Sequence, residues 1–188
     1  MARPRSDEKR HAIMAATINV IIAQGLSAPT ALLAKEAGVS NGTLFIYFKT
    51  KADLFNQIYL ELKTEMTSAL MAGVPTNATL KKQLFHVWSN WMTWAAANPE
   101  KKQALELLRL CDELTPETQT EGFKKMAPAR DLIERCRVNG PMNDVPLPFV
   151  AALMNSIGDS TIDFALQDKK NADKHYKTGF DALWRAIG

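Results

Sequence analysis

Three side chains able to grip an oxyanion recur at helical spacing: Thr43, Tyr47 and Lys51. A hydroxyl, a phenol and an ammonium can each bind a phosphate oxygen, and such contacts fix register on a nucleic acid without reading its sequence. Asn41, Gly42, Phe45 and Ile46 occupy other sides of the same short stretch. Asparagine pairs with adenine N6 and N7, and an apolar side chain packs on a thymine methyl. Gly42 permits close backbone approach. No Arg or Lys stands between Ser40 and Tyr47, so the commonest guanine reader is missing and readout is biased toward methyl contacts and DNA shape. Arg3 and Arg5 belong to a basic arm, residues 1–6, of the kind that follows a phosphate backbone or enters a minor groove.

Charge supports the same partner. Residues 1–51 hold seven Lys or Arg against three Asp or Glu, whereas the other 137 residues are balanced to −1. A basic head on a near-neutral body fits a polyanion for the head alone. The chain has 188 residues, 46% of them hydrophobic and 23% charged, the mix of a folded soluble protein. No apolar run reaches the roughly 20 residues that cross a bilayer, and the first residues lack a signal-peptide stretch. The expectation is a cytoplasmic protein without membrane contact.

The elements that position these groups are helices. Ile13, Ala16, Val20, Ile21 and Ala23 mark a first helix over about 7–24, with Ser6 as its N-cap and Gly25 as its stop. A second helix begins near Thr30, Gly38 makes a tight turn, and Ser40 caps a third. Two short helices joined by such a turn predict a helix-turn-helix. Thr50 and Asp53 form a capping box for a long helix to about residue 72. Lys51 in its first turn opposes the helix dipole, which makes sense beside a phosphate. Further helices follow at 77–97, from Pro99, from Pro116, at 149–166 and at 172–187, with Gly122 and Pro128 breaking the one from Pro116. The expected fold is all-α with about nine helices. Residues 1–50 would form a DNA-binding domain and 51–188 a body.

The run GVSNGTLFIYFKTKADLF at 38–55 resembles the DNA-binding signature of the TetR family of bacterial transcriptional repressors. Gly38, Val39, Ser40, Gly42, Thr43, Leu44, Tyr47, Phe48, Lys51 and Leu54 match it, and Phe45 stands where Tyr is common. Within the family, the ARPRSDEK start, GTLFIYF, WSNWMTWAAANP, STIDFALQD and GFDALWRA are most similar to RamR-type multidrug-efflux regulators, although Ile46 stands where such relatives often carry Arg. The resemblance implies a homodimer on a double-stranded palindromic operator, released when a small-molecule inducer binds the body and moves the long fourth helix. It implies no enzymatic activity.

Trp88, Trp91 and Trp94 stand at i, i+3 and i+6, and Tyr59, Phe85 and Phe164 add to a dense aromatic population. Such a pocket suits a flat aromatic or cationic ligand. By resemblance, Tyr59, Trp88 and Phe164 are the ring-stacking candidates; Trp91 joins them, and Asp159 and Asp163 would supply a carboxylate. The resemblance also implies a four-helix dimer interface from the last two helices, with Ala152, Asn155, Ser156, Phe180, Leu183 and Trp184 as nominees. No catalytic set, cofactor motif or metal-ligand spacing is present. Cys111 and Cys136 read as buried, inert thiols; Arg135 and Arg137 beside Cys136 leave a reactive thiolate as the alternative. Two other readings stand beside the repressor: a regulator whose body binds a partner protein, and a helical ligand carrier or enzyme.

Overall fold

The computed structural model describes the backbone of residues 3–188 and side chains from Ser6 onward. Among the described residues it is all-helical. The order is α1 (Arg3–Gln24), α2 (Thr30–Glu36), α3 (Asn41–Tyr47), α4 (Lys51–Met71), α5 (Leu80–Ala97), α6 (Pro99–Arg109), α7 (Pro116–Lys125), α8 (Ala127–Arg137), α9 (Leu147–Gln167) and α10 (Ala172–Ile187). A single 3-10 turn, Lys169–Asn171, separates the last two. The architecture is therefore the expected one, with ten helices in place of about nine.

Two local expectations change. The first helix begins at Arg3, so Ser6 lies inside it and is not its cap; Pro4 suits a first turn, where its missing N–H is not needed. Of the arm expected over residues 1–6, Met1 and Ala2 lie outside the described residues. In the second case, the chain between α7 and α8 breaks at Met126, and Pro128 sits in the first turn of α8. Gly122 does not break α7. It is buried in it, because a Cβ there would stand 2.6 Å from Tyr59 Cε1.

The helices group into two compact units. The first comprises the chain up to Thr64 together with Asn98–Lys124; the second comprises Glu65–Ala97 and Lys125–Gly188. In the first, Ile13, Ile21, Leu33, Leu44, Phe48, Leu54, Phe55 and Ile58 are fully enclosed. They come from α1 to α4 at the spacing that lays one face of each helix on a shared core. α6 packs against α1 in the same unit. Asn56 closes it: its Nδ2 donates to Ala52 O (2.7 Å) and Glu113 O (2.8 Å), and Thr115 N–H donates to its Oδ1 (3.0 Å). The loop before α7 is thus pinned to α4.

In the second unit, Leu84, Trp88, Met92, Leu132, Ile162 and Leu183 are buried. α9 and α10 pack on each other and both meet α5. Gly158 and Gly179 make this possible, since a Cβ at either would fall 2.2 Å from Trp91 Cη2 or Thr161 Oγ1. Arg137 is buried and donates to Glu134 and to the carbonyls of Met142 and Val145. It holds the Pro-rich connector in place. Burial pushes the Cys136 thiol up to about 11, with Arg135 opposing.

Candidate nucleic-acid interface and effector residues

The turn that aims α3 is built from its sequence. Gly38 takes φ +66°, a left-handed conformation that costs glycine little. Ser40 then caps α3 by accepting from Thr43 N–H at 3.0 Å. Leu44 and Phe48, four residues apart, are wholly buried. The remaining residues are forced outward. Asn41 and Gly42 are exposed, Phe45 is 41% exposed and Ile46 81%. The structure thus gathers all four base-facing candidates on the open side of one seven-residue helix.

The phosphate candidates flank that edge. Thr43 Oγ1 lies 2.8 Å from Ser40 Oγ, so its hydroxyl is shared with the cap. Tyr47 is half-buried and borders an open groove of about 420 Å³, also lined by Ser6, Glu8, Lys9 and Ala12. Lys51 is engaged internally: Nζ donates to Leu26 O at 2.6 Å and stands 5.2 Å from the centre of the Phe55 ring. That contact ties α4 to the loop after α1 and accounts for a cation in the first turn of a helix. The side chains of Arg3 and Arg5 lie outside the described residues.

Behind α3 runs a polar line of which the sequence disclosed only the Thr50–Asp53 cap. Thr50 Oγ1 accepts from Asp53 N–H (2.9 Å), and Asp53 Oδ2 reaches back to Lys49 N–H (2.8 Å). The capping box forms, but its return arm lands one residue earlier than Thr50. Gln57 Nε2 donates to Asp53 Oδ1 (2.7 Å). Arg10 on α1 donates to Gln57 Oε1 (2.8 Å) and to Glu61 Oε2 (3.1 Å), and its guanidinium lies 5.7 Å from the centre of the Phe48 ring. The contacts of Arg10, 38 to 51 residues apart, leave no local signature, which is why only the tertiary fold shows them.

The effector candidates fall in both units. Tyr59 belongs to the first: it is 7% exposed, packed on Gly122, with Lys63 Nζ 5.6 Å from its ring centre. Burial raises its pKa, and Arg109 opposes that. Burial also lowers the pKa of Lys63, with Arg109 adding to the effect. The others belong to the second unit. Trp88 is 2% exposed and donates its indole N–H to Tyr176 O at 2.9 Å. Trp91 meets it edge to face at 5.6 Å. Asp159 is half-buried and Asp163 exposed. Phe164 is 62% exposed, with its ring 6.3 Å from that of His175.

Of the dimer nominees, Ala152, Asn155 and Ser156 form an exposed strip on α9. Phe180 and Leu183 are buried in their own unit, where Phe180 packs on Phe85 at 4.9 Å. Trp184 stacks on Phe180 at 6.2 Å and carries Lys81 over its ring. Among the described residues no group of three His, Cys, Asp or Glu is placed to hold a metal ion, and no helix is long and apolar enough to cross a membrane.

Comparison with known proteins agrees with the head. Residues 13–58 match the sequence profile of the bacterial regulatory proteins of the tetR family. A fatty acid metabolism regulator protein of Bacillus subtilis is 29% identical over 87 residues, which span 46% of this chain and 45% of that protein. The chain therefore matches under half the length of that relative. The fold is shared with a TetR family transcription regulator from Marinobacter aquaeolei (TM-score 0.87, 24% identity, 98% of each chain). It is shared also with the regulator FadR of Bacillus subtilis in complex with stearoyl-CoA (TM-score 0.70, 17% identity, 95% of this chain and 99% of that one). The family match thus lies in the head, residues 13–58, and over the whole chain the likeness is one of fold.

Proposed function

We propose that this chain, a TetR-family DNA-binding transcription regulator by its head and its fold, is a homodimeric cytoplasmic repressor released from a palindromic operator by a small molecule. Residues 1–50 bind DNA, and 51–188 bind effector and partner subunit. The observation that carries the reading is the open edge of α3. Two large apolar side chains, Phe45 and Ile46, are held in solvent there, while no other large apolar side chain among the described residues up to 50 is exposed. A thymine methyl is a natural cover for them. Thr43, Tyr47, Lys51 and the two arm arginines would sit on phosphates, and Asn41 and Gly42 against bases.

The test separates base readout from backbone grip. A duplex is enriched by the protein itself from a random 30-base-pair library, and binding is compared with a scrambled duplex. Ile46→Arg changes which sequences are enriched, because arginine favours guanine. Lys51→Ala weakens enriched and scrambled duplexes alike, because phosphate contacts carry no sequence information. Equal losses on both duplexes for both variants would overturn the assignment.

For the effector, the aromatic residues of the body support a flat aromatic or cationic ligand of the multidrug type, with Trp88, Trp91, Phe164, Asp159 and Asp163 as candidate contacts in the second unit and Tyr59 as a separate candidate in the first. The relation to a fatty acid metabolism regulator favours a second reading, an acyl-bearing effector. Quenching of tryptophan emission by cationic dyes, set against quenching by a long-chain acyl thioester, decides between them. Saturable quenching by neither would leave the partner-protein reading of the body in the lead.

A further inference from the structure

We propose that Arg10 is a positioning residue for α3: it sets the angle at which the apolar edge meets the bases, and so governs sequence discrimination more than overall affinity. The inference rests on the reading of α3 as the base-reading helix.

The geometry is a continuous line. Glu61 on α4 receives Arg10 at Oε2 (3.1 Å) and approaches His11 at Oε1 (3.6 Å), both from α1. Arg10 also holds Gln57, one turn back along α4. Gln57 holds Asp53, a further turn back, and Asp53 holds the Lys49 amide. That amide lies two residues beyond the last residue of α3. The chain leaves α3 at Phe48, which is extended at φ −134°, and the Arg10 guanidinium stands against its ring. Arg10 therefore touches both the exit of α3 and the side of α4 whose first turns fix that exit.

A planar guanidinium with its donors in a fixed fork imposes direction on its partners, which a flexible ammonium does not. The Arg10 and Glu61 side chains are 31% and 40% exposed, and an ion pair in that setting contributes little to stability. Its consequence is orientation. The Ile46 side chain stands free of the core and is carried only by the helix backbone, so a small tilt of α3 displaces it from a thymine methyl. Phosphate contacts, carried by Lys51 on α4 as well as by Thr43 and Tyr47 on α3, are electrostatic and sequence-independent, and so tolerate the same tilt.

The experiment uses two charge-conserving variants of the full chain, Arg10→Lys and Gln57→Leu. Both are titrated against the duplex enriched by the wild-type protein and against its scrambled counterpart, with thermal melting as a check on folding. The expected result is a fall of about tenfold in the enriched-to-scrambled affinity ratio, the order of one misplaced base contact. The scrambled-duplex affinity and its salt dependence stay unchanged. A ratio that stays at the wild-type value, or parallel losses on both duplexes, overturns the role of Arg10. If one variant fails to fold, the other decides. If the wild-type protein enriches no duplex, the DNA-binding reading itself falls and this assignment with it; enrichment followed by an unchanged ratio removes the assignment alone.

Discussion

Replacing Gly158 by alanine sets two well-characterised effects against each other. Gly158 lies in the middle of α9. In an open helix, glycine to alanine stabilises by about 1 kcal/mol, since alanine loses less backbone entropy on folding. Here the new Cβ would stand 2.2 Å from Trp91 Cη2 and 2.3 Å from Cζ3. No side chain tolerates that distance, so the indole must turn away or α9 must shift. Turning it away sacrifices the edge-to-face contact with Trp88, held at 5.6 Å and 88°, worth about 0.5–1.5 kcal/mol. Overpacking of this kind costs about 1–3 kcal/mol. The penalty exceeds the gain, and Gly158→Ala should destabilise by about 1–2 kcal/mol. For a chain of this size that lowers the melting temperature by roughly 3–6 °C. Gly42→Ala is the internal control. Its nearest neighbour is Ser40 Oγ at 3.8 Å, an ordinary contact, so the helical preference acts alone and stability should rise by up to about 1 kcal/mol. Urea denaturation followed by tryptophan emission, at fixed protein concentration, measures both. Emission of native Gly158→Ala should shift as Trp91 moves. A Gly158→Ala protein as stable as wild type with unchanged emission would refute the packing argument.

Two further outcomes can be checked by simple measurements. Asn56→Leu removes three hydrogen bonds at once and strands Glu113 O and Thr115 N–H; the loss should be about 2–4 kcal/mol, with amide exchange at Thr115 accelerated in the same samples. Cys136, whose thiol burial pushes up to about 11, should resist iodoacetamide in the native protein at pH 8 and react readily in urea. The folded-state pKa is raised, so the thiolate is withheld until pH rises toward that value, and rapid native labelling at pH 8 would contradict the burial argument.

What sequence alone determined was local. Gly38 and Ser40 announce the turn and the cap because positive φ and an N-cap are demands on single residues. Leu44 and Phe48 follow from helical period, and once they are turned inward the exposure of Asn41, Phe45 and Ile46 is a necessity of geometry. The all-helical class has the same origin, since apolar spacing is written in neighbouring residues. Tertiary structure decided whatever depends on distant partners. Lys51 is held by a carbonyl 25 residues away, and so its first-turn position has an internal cause that neighbouring residues do not show. Gly122 has the composition of a helix breaker, yet it is kept in α7 by the ring of Tyr59. Phe180 and Leu183 have the spacing of an interface but are consumed by the core of their own unit. Arg10 belongs to a charged run whose pattern matches any solvated helix end. Its role appears only when Gln57, Glu61 and Phe48 converge on one guanidinium, because hydrogen-bond direction is set by the packing of three helices and by no one of them.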